Sequence, residues 1–232
     1  MQQIIPQLSY IDILRYLGYR NTAIPKALEE LIKSCMELTL QTIQPKSIYH
    51  RYPISVLSEG IAVSGTNIIL KGKSIRNHLL ESKEIFLLAG TIGIEMDKLI
   101  RTKMVSSPDE GVILDSCATT AIEMLMDQTE NSIRDLCSQN EESITWRFSP
   151  GYGDLPLDTH INLLGALDTS RKIGLTVSRS LILIPSKSVT AIIGVTKKVI
   201  KIPPQDHCDT CSKNSDCVYK KAGFSCSNQS NA

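Results

Sequence analysis

The tetrapeptide Ser107-Pro108-Asp109-Glu110 is the strongest structural constraint in the chain. Serine can cap a helix, proline suits its first turn, and a glutamate three residues after the serine can close a capping box. Beyond it, Leu114, Cys117, Ala118, Ala121, Ile122 and Leu125 recur at helical spacing. The pattern predicts a long helix with one apolar stripe and with Asp115 and Glu123 nearer its edges. Such a stripe needs an apolar surface to lie on, and KEIFLLAGTIG, residues 83 to 93, reads as a buried central strand. Its glycines end the run before a second helical stretch from about Ile94 to Met104.

The remaining segments alternate in type without regular βαβ order. Leu28, Leu31, Ile32, Cys35 and Leu38 form an amphipathic helix pattern after Pro25. SIYHRYPISVL, GIAVSG and NIIL, between Ser47 and Leu70, read as a meander or hairpin with Gly65-Thr66-Asn67 as a turn. SITWRFS reads as a strand, PGYGDLPL as a loop, and the stretch from about Asp158 to Gly174 as a helix. Strands around SLILI and SVTAIIGV complete the core. This mixture predicts an α+β fold, a single compact domain with a largely antiparallel, twisted sheet covered by helices. Residues 1–200 form that domain, and residues 201–232 a short Cys-rich tail.

Composition narrows the function classes. Acidic and basic residues nearly cancel, 24 against 25, and three Phe and one Trp make no stacking platform, so nucleic acid is not an expected partner. The amino terminus lacks the basic start and apolar run of a signal peptide, and no stretch is long enough to span a membrane. A cytoplasmic protein with no membrane partner is the expectation. Cys35, Cys117 and Cys137 fall within helical patterns, where free thiols act as small apolar side chains.

Chemistry concentrates in RFSPGYGDLP, residues 147 to 156, where two prolines and two glycines fix an irregular backbone between a strand and a helix. Arg147 offers a planar donor fork suited to a carboxylate, and glycine lets a ligand approach main-chain groups closely. Tyr152 adds a phenolic hydroxyl and a ring face. By residue chemistry alone, the other reading is a structural turn with Arg147 in an ion pair.

RFSPGYGDLPLD resembles the Arg-x-x-Pro-Gly-Tyr signature of the activation domain of cobalamin-dependent methionine synthase, and PSKSVTAIIG, residues 185 to 194, is similar to a second block of that family. RYLGYR near residue 15, LLAGTIGIEMDKLI near residue 87 and the helix after Leu114 also resemble its short, stand-alone members, so the likeness runs from about residue 8 to 196. The resemblance implies S-adenosylmethionine binding, with Arg147 on the ligand's carboxylate, Ser149 as a backbone contact, Gly151 permitting the turn and Tyr152 as the binding tyrosine. A family acidic contact falls at Thr119, with Glu123 one turn later on a similar face. Where the family's full-length domain has Thr-Glu-Ser, this chain reads Ser178-Arg179-Ser180, and a later tyrosine pair is missing.

By the same resemblance the domain serves a methyltransferase whose cobalamin has slipped to the inactive cob(II)alamin state. The sulfonium is already an activated methyl donor, so the protein needs to position it and needs no general base. That fits a chain in which no catalytic residue is identified: His50, His78, His160 and His207 lie in no nucleophile motif. Without an Asp-x-His-x-x-Gly motif, the cobalamin is held by a partner, a corrinoid-bearing methyltransferase lacking its own activation domain, served by an electron donor protein.

The tail HCDTCSKNSDCVYKKAGFSC places Cys208, Cys211, Cys217 and Cys226 in a short polar segment, and its C-x-x-C pair is spaced for two thiolates on one ion. Zinc would fold a tail too small for its own core, and an iron–sulfur cluster would suit one-electron traffic. A set of free thiols is the plain alternative. A rival function follows, that of a non-catalytic redox- or metal-sensing interaction protein acting through this tail. The expected result for anaerobically purified protein is about one zinc or one cluster per chain, read by elemental analysis and visible absorption. Metal-free protein that stays colourless after reconstitution would contradict it.

Overall fold

Strand β4 (Glu84–Thr91) carries apolar residues at nearly every position, and a strand of that composition is stable only when covered on both faces. The computed structural model, which describes residues 8–19 and 23–197 and the single residue Ser215, provides that cover. Phe86 and Leu88 point into one core. Ile85, Leu87 and Ala89 point into another. Strand β8 (Ser188–Thr196) repeats the division, with Ala191, Ile193 and Val195 in the first core and Ile192 in the second.

The first core is closed by α1 (Tyr10–Tyr16), α2 (Lys26–Thr42), α4 (Ile94–Ser106) and α5 (Pro108–Ser138). The second lies under α3 (Lys73–His78), α6 (Thr159–Leu167) and α7 (Thr169–Ile173). Between them runs a six-stranded antiparallel sheet in the order β3-β2-β1-β4-β8-β5, where β1 is Lys46–Val56, β2 Ile61–Val63, β3 Ile69–Leu70 and β5 Ser143–Ile144. Register is set by β4, with Glu84 opposite Val195 and Thr91 opposite both Ser188 and Lys46. Pro53 falls where β1 passes from pairing with β4 to pairing with β2, a place where a missing N–H is tolerated. The α+β architecture is therefore as the sequence predicts.

Four local expectations need correction. SITWRFS forms strand only at β5, and Phe148 returns to the sheet through a lone bridge to Ile192. Between them Thr145 accepts the Gly194 N–H through its hydroxyl (2.8 Å), so a side chain replaces part of the ladder. The helix expected over 158–174 is two helices, because Asp168 adopts a left-handed conformation (φ 53°) between α6 and α7. SLILI contributes β7 (Leu183–Ile184), which pairs with β6 (Thr176–Val177) in a separate two-stranded sheet and not in the core sheet. Helix α5 begins at Pro108 as expected, yet the Ser107 side chain makes no capping bond, and Glu110 pairs instead with Lys103 of α4 at 2.5 Å.

Helices α4 and α5 are in close contact at Gly111, where an added Cβ would lie 2.8 Å from the Met104 backbone nitrogen. Backbone cannot rotate aside as a side chain can, so Gly111→Ala should destabilise the fold by about 1–3 kcal/mol in denaturant titration. Gly165, in α6, would meet nothing within 4 Å, and Gly165→Ala should be neutral or stabilising by up to about 1 kcal/mol. Equal effects at the two positions would contradict this packing.

Candidate functional site

The apolar stripe of α5 faces the sheet, and its neighbouring edge carries Asp115, Thr119, Glu123, Asp127 and Glu130 at helical spacing. Arg147, between β5 and the Phe148 bridge, reaches that edge. Its Nη2 lies 2.6 Å from Asp127 and 3.5 Å from Glu123, and its Nε lies 3.3 Å from Glu130. The Arg147 side chain is 19% exposed. Nη1 is buried and has no hydrogen-bond partner among the described residues. One flank of the guanidinium is thus saturated by carboxylates, while one N–H-bearing atom is left over, which native interiors seldom allow without a reason.

Electrostatics follow from this burial. The Glu130 side chain is 16% exposed, and burial raises its pKa above the ordinary carboxylate value even though Arg147 and Arg134 both pull it down. Burial also raises Glu123, although its side chain is 47% exposed and Arg147 partly opposes the shift. Tyr16 of α1 lies near Glu123: burial raises its phenol pKa, and the negative charge of Glu123 adds to the rise. A second cation stands further along the same helix edge. Lys187 pairs with Asp115 at 2.9 Å and donates to the Thr119 hydroxyl at 2.8 Å, while Ser186 is tied to Asp97 through its N–H and its hydroxyl.

The loop after Arg147 is held by its own backbone. Tyr152 N–H donates to the Ser149 carbonyl (3.0 Å), and Gly151 N–H to the Leu155 carbonyl (2.8 Å). Gly151 has φ 92°, and a Cβ there would lie 2.9 Å from Leu157. Asp154 anchors the turn to α3 by accepting from Lys73 and Ser74 N–H groups, and those bonds lower its pKa. The Tyr152 ring is 58% exposed and packs edge-on against Phe148 at 5.9 Å. Phe148 belongs to the core under α6, whereas Arg147 reaches α5, so the ring and the guanidinium sit on different sides of this sheet edge.

Of the residues singled out in the sequence, Arg147 and Glu123 are therefore brought together, and Ser149, Gly151 and Tyr152 share one turn. Asp127, Glu130 and Tyr16 join them without having been singled out; the i, i+4, i+7 spacing from Glu123 is the signal that points to the first two. Two shallow cavities of about 360 and 320 Å³ lie elsewhere, between the β2–β3 turn and α6, with Asn67 and Asn162 in both. Cys208, Cys211, Cys217 and Cys226 lie outside the described residues. Among the described residues no three His, Cys, Asp or Glu side chains form a metal-binding group, and no helix is long and apolar enough to cross a membrane. Cys35, Cys117 and Cys137 are buried free thiols, with Cys117 pushed up to about 12 by burial.

No family model and no curated protein matches the chain. Among solved structures it is similar to the crystal structure of the MetH reactivation domain bound to AdoHcy, with a TM-score of 0.59 and 15% identity over 81% of this chain and 73% of that one. At that identity the likeness is one of fold.

Glu130 gives the site a pH signature. Because its folded pKa is raised, the folded state binds its proton more tightly than the unfolded chain does. Stability from this group therefore rises as pH falls through the folded pKa toward the ordinary value near 4.5. Glu130→Gln removes that contribution, so stability curves of variant and wild type should differ in slope on the alkaline side of the ordinary carboxylate value near 4.5. Parallel curves would show that Glu130 is not desolvated in solution.

Proposed function

We propose that the chain is an S-adenosylmethionine-binding reactivation module for a cobalamin-dependent methyltransferase of the methionine synthase kind. The observation that carries this reading is the unpartnered, buried Nη1 of Arg147, a donor that stays costly until an acceptor such as a ligand carboxylate arrives. It stands at the position where RFSPGYGDLP resembles a methyl-donor signature, in a fold similar to a domain solved with AdoHcy, which is S-adenosylmethionine without its transferable methyl group.

In this reading Arg147 takes the ligand carboxylate, and Glu123 lies beside the ligand's cationic groups. Ser149 and Gly151 supply a backbone edge that the ligand can approach, and Tyr152, across that edge from the guanidinium, offers its exposed ring to the part of the ligand that reaches past the turn. No residue has to move a proton, since the methyl group leaves an already activated sulfonium. Cobalamin, held by the partner, supplies the nucleophile, and a separate electron donor supplies the reduction. The protein's own task is to place the methyl carbon toward the partner, and the exposed Tyr152 marks the surface where that partner approaches. Residues 1–200 form this working unit of a cytoplasmic protein, and residues 201–232 add the Cys-rich tail as a candidate zinc or iron–sulfur site.

Calorimetry on the whole chain should show S-adenosylmethionine binding that weakens by about 1.5–3 kcal/mol in Arg147→Ala, the loss expected for a charge-assisted hydrogen bond. The alanine variant leaves Glu123, Asp127 and Glu130 without their common cation, so its fold is checked by circular dichroism, and Arg147→Lys, which keeps the charge but not the planar fork, should also bind poorly. Reactivation of an inactive corrinoid methyltransferase should require the chain, the methyl donor and a reductant together. Tyr152→Ala should slow that reactivation and spare the partner's normal turnover. Unchanged affinity in Arg147→Ala, or methyl transfer to a small molecule with no corrinoid present, would overturn the reading.

A further inference from the structure

Lys187 is a second anchored cation on the edge of α5 that meets Arg147. It donates to the Thr119 hydroxyl at 2.8 Å and pairs with Asp115 at 2.9 Å, and its side chain is only 17% exposed. Exposed ion pairs hold their side chains weakly, whereas this lysine is enclosed and doubly bonded. The Thr119 hydroxyl spends its own proton on the Asp115 carbonyl at 2.9 Å, which leaves its lone pairs to accept from the ammonium. The backbone beside the lysine is also tied down: Asp97 accepts from both the N–H and the hydroxyl of Ser186, and the Ser188 hydroxyl lies 2.9 Å from that of Thr91. An ammonium has three N–H donors, and these two contacts use two of them. The Asp115 side chain, 46% exposed, keeps acceptor capacity beyond its ion pair. One fixed donor and one fixed acceptor therefore stand side by side.

We propose that Asp115 and Lys187 hold the ribose diol of the methyl donor, Asp115 accepting from one hydroxyl and Lys187 donating to the other. This inference rests on the function proposed above and assigns the adenosine side of the same site. Spacing supports it. Thr119, where Lys187 docks, and Asp127, where Arg147 docks, are eight residues apart on α5, about 12 Å along its axis. In an extended methyl donor the chain from the carboxyl carbon to the ribose ring advances about 8 Å at ordinary bond lengths, and the hydroxyls lie beyond it. A carboxylate on Nη1 of Arg147 thus brings the sulfonium alongside Glu123, between the two anchors, and the diol toward Asp115 and Lys187. Charge agrees with this order. The lysine–aspartate pair is neutral as a unit, so it adds no net repulsion for the sulfonium and suits an uncharged group. Vicinal hydroxyls can each donate and accept, which matches a donor beside an acceptor.

The test measures dissociation constants of S-adenosylhomocysteine and its 2′,3′-dideoxy analogue on wild type, Lys187→Met, Asp115→Ala and Arg147→Ala, each with its fold checked by circular dichroism. Wild type should bind the diol-bearing ligand about tenfold or more tightly than the dideoxy analogue, as expected for hydrogen bonds to charged groups. Lys187→Met keeps the apolar stem and removes the donor, and Asp115→Ala removes the acceptor. Each should weaken the diol-bearing ligand by about five- to tenfold and leave the dideoxy analogue nearly unmoved, so the ratio contracts. Arg147→Ala should weaken both ligands alike, because both carry the carboxylate. A merely structural tie between Lys187 and α5 would show the same uniform loss in the Lys187 and Asp115 variants and leave their ratio at the wild-type value. If wild type does not discriminate the diol, or if the ratio survives in both variants, the inference fails while the proposed function stands. If wild type binds neither ligand, the proposed function fails and takes the inference with it. Should Lys187→Met not fold, Asp115→Ala alone decides.

Discussion

The two central strands, β4 and β8, are apolar on both faces, and the fold is arranged around covering them twice. On one side the cover is chiefly α5, whose buried stripe includes Leu114, Cys117, Ala118, Ala121 and Leu125. Each fully buried aliphatic side chain of Leu or Ile size contributes about 1.5–3 kcal/mol, so the helix cannot roll on the sheet without exposing several of them. Its azimuth is thereby fixed, and so is the direction in which its acidic edge points. Arg147 lies beside that edge because the chain turns back toward β8 through the Phe148 bridge to Ile192. The candidate site is in this sense a by-product of sheet packing: apolar burial decides where Glu123, Asp127 and Glu130 stand, and the arginine meets them.

A guanidinium so enclosed is weak evidence for stability in itself. Buried ion pairs repay much of their attraction in lost hydration, and an apolar residue of similar volume would serve a core as well or better. The residue-chemistry alternative, a structural turn with Arg147 in an ion pair, is correct as far as the pairing goes. It leaves Nη1 unexplained. Structural pairing and ligand binding are compatible here, since the same carboxylates that hold the guanidinium leave one of its donors over. The shallow cavities between the β2–β3 turn and α6 have no comparable feature; they are open grooves in which Asn67 and Asn162 recur.

Large features were legible because their signals are redundant. Helix α5 announces itself through its opening tetrapeptide and a long apolar period, and it forms even though the Ser107 cap does not. Strand β4 is legible from its run of Ile, Phe and Leu. Short-range exceptions were not legible: the left-handed turn at Asp168 that divides α6 from α7 carries no glycine, and the break after β5 depends on Thr145 bonding across to Gly194, a contact nearly fifty residues away in sequence. The same limit applied at the site. Arg147 and its loop stand out by composition, whereas Asp127 and Glu130 look like ordinary solvated helix residues until the packing of α5 turns them toward a buried cation.

The central claim is that S-adenosylmethionine binds where Arg147 meets α5, and backbone amide chemical shifts measured during a titration with that ligand test it most directly. The account predicts saturable shifts concentrated in residues 119–130 of α5 and in residues 147–154. Shifts confined to residues 65–71 and 158–166 around the α6 groove, or no shifts at ligand concentrations well above those in cells, would contradict it.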